Sequence, residues 1–122
     1  MSKRPVQVDP NIIAALERLK WPLPSFRNTK VTIREKSREG EGICHVASQR
    51  HYLKVADIKM IPSILKAPYA FHRDPRNKRH FNYYGKRKGT KVRMYLKIVT
   101  ALNRKDNSKE IIVTIYPTKI FK

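Results

Sequence analysis

Hydrophobic positions recur along this chain first with a helical period and then with a period of two. Ile12, Ile13, Leu16 and Leu19 fall at helical spacing, Asp9 stands where an N-cap belongs, and Pro10 suits the first helical position. The spacing predicts a helix over 11–20, ended by Trp21-Pro22-Leu23-Pro24 because two prolines cannot continue it, with Trp21 docking where the chain turns. Over 55–66, Ile58, Ile61 and Leu65 form a second stripe with Asp57 near its start. Pro62 interrupts that stripe and predicts two short turns or a kinked helix.

Elsewhere the pattern alternates. Residues 30–35 and 42–46 read as a pair of short strands or a hairpin around a Gly/Glu-rich bend. Residues 69–73, 80–86, 92–101 and 110–116 read as four strands, separated by turn-forming segments at 74–77, 85–89 and 103–108. Helices followed by a run of strands predict an α+β fold in which N-terminal helices pack on a four-stranded antiparallel meander.

Strand parity then sorts the side chains. Val92, Met94, Leu96 and Ile98 point to one face, leaving Arg93, Tyr95, Lys97 and Val99 on the other. The same alternation separates Ile111, Val113 and Ile115 from Ile112, Thr114 and Tyr116. With the apolar sets against the helices, Arg93, Tyr95, Lys97, Thr114 and Tyr116 share the opposite face. Cations, hydroxyls and aromatics together suit the grip of a phosphodiester and its neighbouring bases.

Charge sharpens that picture. The 122-residue chain has a formal net charge of +19, and ten Lys or Arg residues lie between Arg73 and Lys97 against one acid, Asp74. Such a balance draws polyanions, and aromatics among the cations favour RNA or single strands. The basic stretch nominates Arg73, Arg76, Arg79, His80, Tyr84 and Lys86 as RNA contacts, joined by Arg93 and Tyr95 on the strand face. Length predicts a single domain over 1–122, and a hydrophobic fraction of 40% is enough for one core. The apolar runs are too short for a membrane helix and no secretory core follows Met1, so a cytoplasmic chain without a membrane partner is expected. Cys44 has no second thiol for a disulfide or an ordinary zinc site and reads as a small buried side chain. The four glycines form no phosphate-binding motif, the nine acids form no two-metal cluster, and no deaminase signature is present; Glu35, Glu39 and Glu41 read as a solvated turn.

Metal-free RNA cleavage needs a base for the 2′-hydroxyl, an acid for the leaving 5′-oxygen, and cations for the charge growing on phosphorus. Histidine is the natural proton carrier near neutral pH. Of the four histidines, His45 and His51 flank a short segment between a predicted strand and the second helix, whereas His72 and His80 sit among arginines and suit phosphate contact. Lys97 lies mid-strand among apolar neighbours, where a solvated charge is less expected.

The order Gly42-Ile43-Cys44-His45, Arg50-His51, Ile61-Pro62-Ser63-Ile64-Leu65-Lys66-Ala67-Pro68, a Tyr-rich strand, Tyr95-Leu96-Lys97-Ile98-Val99 and Val113-Thr114-Ile115-Tyr116-Pro117-Thr118 resembles the barnase/EndoU/colicin/RelE-like (BECR) nucleases, nearest their phage- and toxin-associated branches. The likeness covers about 42–118 as a nuclease-like core and leaves 1–41 as a helical N-terminal part with a short strand. It implies a metal-independent endoribonuclease without a cofactor, a toxin acting on transfer, ribosomal or messenger RNA and restrained by an acidic antitoxin or immunity protein. Carried over by position, His51 is the general acid or base, with His45 second and Arg50 beside it on the RNA. Lys97 and Arg93 stabilise transition-state charge, and Thr114 and Tyr116 position the phosphate. A toxin domain would also be compatible with delivery into a target cell. Two other readings stand beside it: a basic RNA- or ribosome-binding protein without chemistry, and a ribosome-dependent mRNA interferase.

Overall fold

The computed structural model describes residues 9–34, 46–47, 53–87 and 94–119. Among these residues, two helices, α1 (Pro10–Arg18) and α2 (Val55–Lys66), accompany six strands: β1 (Leu23–Pro24), β2 (Lys30–Thr32), β3 (Ala70–Arg73), β4 (His80–Lys86), β5 (Tyr95–Leu102) and β6 (Lys109–Thr118). The Asp9 carboxylate accepts the Asn11 N–H at 2.9 Å, and α1 turns Ile12, Ala15 and Leu16 inward. The helix stops where Trp21 folds back and donates its indole N–H to the Leu16 carbonyl at 2.8 Å, satisfying one of the end groups that a helix leaves open.

The expected break in α2 is absent: the helix runs through Pro62 from Val55 to Lys66. Its buried stripe of Ile58, Ile61, Ile64 and Leu65 holds it on the sheet, and packing outweighs the one backbone donor that proline removes. Asp57 lies in the first turn and accepts the Lys54 N–H at 2.8 Å. The same carboxylate accepts from Arg87 Nε at 3.0 Å and Nη2 at 2.9 Å, so a two-pronged ion pair ties the helix start to the end of β4.

The fold is α+β, but its sheet is a six-stranded mixed one in the order β1-β2-β6-β5-β4-β3, not the expected four-stranded antiparallel meander. The additional strands precede α2. β1 pairs antiparallel with β2, and β2 runs parallel to β6 with Val31 opposite Glu110. Proline is tolerated in β1 because that strand forms the sheet edge. Of the pair of short strands expected at 30–35 and 42–46, the first is present as β2, with β1 and β6 as its neighbours, and 42–45 lie outside the described residues. Val46 is buried in the core.

α2 packs on one face of the sheet, α1 packs against α2, and their apolar residues join Phe81, Tyr83, Leu96, Ile98, Ile112 and Ile115 in one core. Contact with α2 is close at Gly85, where an added Cβ would fall 2.4 Å from Ile64 Cγ1. The alternation expected in β6 also changes phase. A register shift beside Val99 and Thr100 sets Val99 opposite Thr114 but Thr100 opposite Ile112, so Val113 is the extra residue of a bulge. Ile112 and Ile115 consequently both enter the core, while Ile111 and Val113 are only half-buried.

A carboxylate lies inside this face. Glu110, 1% exposed, accepts from Tyr83 Oη at 2.7 Å, Thr100 Oγ1 at 2.6 Å, Arg27 Nη1 at 3.2 Å and the Thr29 hydroxyl. Ser25 donates to Thr29 at 2.5 Å and accepts the Arg27 and Thr29 N–H groups, closing a loop whose turn residue Asn28 has φ 61°, a conformation asparagine tolerates. Arg27 also lies 3.7 Å above the Phe81 ring centre. Burial pushes the Tyr83 phenol well above the usual tyrosine range, reinforced by its hydrogen bond to Glu110 and that group's charge.

Candidate nucleic-acid interface

The face away from the helices is organised in rows across β3 to β6. One row runs Ala70, Tyr84, Lys97, Tyr116, and the next runs His72, Asn82, Val99, Thr114. Lys97 is the centre of the first: its ammonium lies 5.7 Å from the Tyr84 ring centre and 5.3 Å from that of Tyr116. Burial opposes its charge, but hydrogen bonding and charge interactions with Tyr116 and Tyr84 outweigh that and hold its pKa above the ordinary lysine value. Lys97 is therefore a fixed cation at neutral pH, suited to charge stabilisation and not to proton abstraction.

His72 joins this group. Its ring is 5.3 Å from that of Tyr84, with Nε2 3.5 Å from the phenol oxygen. Asn82, beside it, is 1% exposed and its Oδ1 has no hydrogen-bond partner, a buried acceptor that packing alone does not explain. At the α2 end of the face a third row sets Lys86 opposite Tyr95 and Tyr95 opposite Thr118.

Among the candidates from sequence, Lys97, Thr114, Tyr116, Tyr84, Tyr95 and Lys86 thus share one face. His51, His45, Arg50 and Arg93 lie outside the described residues, as do Cys44 and the Glu35, Glu39 and Glu41 group. Arg73 is not part of the face, since it pairs with Phe81 and its guanidinium stands 5.5 Å from that ring on the helix side. Arg76 and Arg79 are exposed in the turn between β3 and β4. His80 has the right parity but lies four residues along β4 from Tyr84, about 13 Å away at the usual strand rise. Of the aromatics threaded through the basic stretch, Phe81 and Tyr83 belong to the core, and Tyr84, nominated as an RNA contact, is fully buried on the sheet face, so none of the three offers a base an open ring.

Sequence reasoning did not single out His72 for proton transfer or Tyr69 for binding. The register of β3 against β4 supplies the first, because Tyr84 and His72 occupy adjacent rows. Some cations have structural roles: Arg87, in the basic stretch, is engaged by Asp57, and Arg27, outside it, by Glu110. Among the described residues, no three His, Cys, Asp or Glu side chains gather as metal ligands, and no helix is long and apolar enough to cross a membrane. Comparison with protein-family models, with curated proteins and with solved structures finds no match to this chain.

Proposed function

We propose that this protein is an RNA-binding, metal-independent endoribonuclease of toxin type that works on the sheet face centred on Lys97. The observation that carries the reading is the row Tyr84, Lys97, Tyr116, with His72 and Thr114 in the row beside it. A protonated lysine fixed between two phenols offers a scissile phosphate its positive charge, and hydroxyls nearby can hold the non-bridging oxygens. In the reaction, the 2′-oxygen forms a bond to phosphorus and the bond to the 5′-oxygen breaks. The base removes the 2′-hydroxyl proton and an acid protonates the departing oxygen, leaving a 2′,3′-cyclic phosphate and a 5′-hydroxyl.

His72 is the described histidine placed to carry one of those protons, through its position beside Tyr84. His51 and His45 remain the proton carriers that the BECR resemblance nominates. The formal charge of +19 supports capture of RNA and of an acidic neutralising protein alike.

The test is incubation of the protein with total RNA in EDTA, with and without ribosomes. Cleavage with cyclic-phosphate ends is expected, and Lys97→Met is expected to slow it by about 10²- to 10³-fold, the usual effect of removing one charge-stabilising group. RNA bound tightly yet left intact in both arms would replace this reading by that of a binding protein without chemistry. Cleavage only with ribosomes would identify a ribosome-dependent mRNA interferase.

A further inference from the structure

Among the described residues, Tyr69 is one of two large hydrophobic side chains that remain substantially exposed, at 52%. Its environment is built. The ring stacks on Tyr95 with centroids 5.7 Å apart and planes 18° from parallel, and Lys86 Nζ lies 4.5 Å from its centre. Tyr95 itself is 7% exposed and sits in β5, so the outer ring rests on a fixed support. The Tyr69 N–H donates to the Tyr84 carbonyl at 2.8 Å, which anchors its backbone beside the central row.

Resting on the RNA reading above, we propose that Tyr69, Tyr95 and Lys86 form a subsite for one unpaired nucleobase of single-stranded RNA, next to the phosphate held at Lys97. Tyr95 and Lys97 are two residues apart on one strand face, about 6.6 Å at the usual rise, so the subsite and the phosphate position are neighbours along one strand of RNA. A nucleobase has the flat π-face that an exposed, supported tyrosine can stack against. An exposed cation over a ring is weakly held, so a base can displace Lys86 from Tyr69 and leave its ammonium for the adjoining phosphate. Bases inside a duplex cannot reach the ring, so the subsite selects loops and single strands.

The test reads binding, not cleavage, by fluorescence anisotropy with three probes: a short single-stranded RNA, a blunt RNA duplex and poly-glutamate. Tyr69→Ala should weaken single-strand binding about tenfold, as loss of one stacked base does, while duplex and poly-glutamate binding change less than about twofold. Tyr69→Trp should restore single-strand affinity. Exposure of Tyr69 makes Tyr69→Ala compatible with folding, which a melting curve checks. Equal loss for the duplex, or no loss for any probe, overturns the subsite. Loss confined to poly-glutamate assigns the patch to an acidic polypeptide and overturns it as well. Tyr69-dependent single-strand binding without cleavage of total RNA would leave the subsite standing and remove the nuclease reading.

Discussion

Replacing Glu110 by alanine tests whether the carboxylate beneath the sheet holds the fold together. Its oxygens accept from Tyr83, Thr100, Thr29 and Arg27, and the first three residues are themselves buried. Removing the carboxylate leaves three hydroxyls and a partly buried guanidinium, 24% exposed, to find other partners. Breaking a buried charge pair from one side costs about 3 to 5 kcal/mol, a third or more of the stability of many domains. For a chain of this size that lowers the melting temperature by about 12 to 20 °C. Glu110→Gln is the informative comparison because every contact donates and the amide supplies only one acceptor oxygen. Arg27 cannot accept, so the amide nitrogen must face Tyr83 and Thr100, whose hydroxyls can rotate to accept it; this variant should lose about 1 to 2 kcal/mol. Urea denaturation of the three proteins should give the order wild type, glutamine, alanine. An alanine variant within about 1 kcal/mol of wild type would refute the reasoning, as would a glutamine variant no better than alanine.

Gly85→Ala should cost about 1 to 3 kcal/mol by urea denaturation, because the new methyl meets Ile64, and combining it with Ile64→Ala should cost less than the sum of the two changes. Asp57→Ala removes the partner of Arg87 and the acceptor for the Lys54 N–H and should cost about 3 kcal/mol; a loss under about 1 kcal/mol would contradict that clamp. Tyr83 and Lys97 both have raised pKa values, so above about pH 10 the unfolded chain releases protons that the folded one retains. Their stabilisation is present in full below that pH and declines as pH rises; melting temperatures should fall on the alkaline side, and less steeply in Tyr83→Phe. The logarithm of the RNA-binding constant should fall linearly with the logarithm of salt concentration, and an affinity insensitive to salt would refute phosphate contact by the basic face.

The helices and the consecutive strands were legible because their signals are local. Asp9 with Pro10, the stripe Ile58-Ile61-Leu65, and the alternation around Lys97 each lie within one element. What escaped depends on partners distant in sequence. Leu23-Pro24 reads as a chain break, and becomes a strand only because Lys30–Thr32 lies beside it and β6 beside that. Pro62 carries a local signal for a break that the tertiary burial of Ile58, Ile61 and Leu65 overrides. Glu110 reads as an ordinary polar strand residue, since its donors come from residues 27, 29, 83 and 100. On the sheet face, the placement of Lys97, Thr114 and Tyr116 on one side followed from parity, whereas Tyr84 beside His72 required the β3–β4 register.

The bulge joins the two faces of the sheet into one design. In β6 strict alternation would place Glu110, Ile112, Thr114 and Tyr116 on the same side, so the carboxylate and the site residues would compete for one face. The extra residue Val113 resolves the conflict: Glu110 and Ile112 point toward the helices, while Thr114 and Tyr116 point toward Lys97. The phase change lies between Thr100, which donates to Glu110, and Val99, which pairs with Thr114. The Glu110 network therefore fixes the stretch of β6 immediately before the bulge, and the bulge sets the direction of everything after it. Deleting Val113 would set Ile112 directly before Thr114, and plain alternation would then still keep Glu110 and Ile112 toward the helices and Thr114 and Tyr116 toward Lys97; the deletion should therefore spare both the buried carboxylate and the Lys97 row, and a protein that lost either would refute the assignment of Val113 as the extra residue.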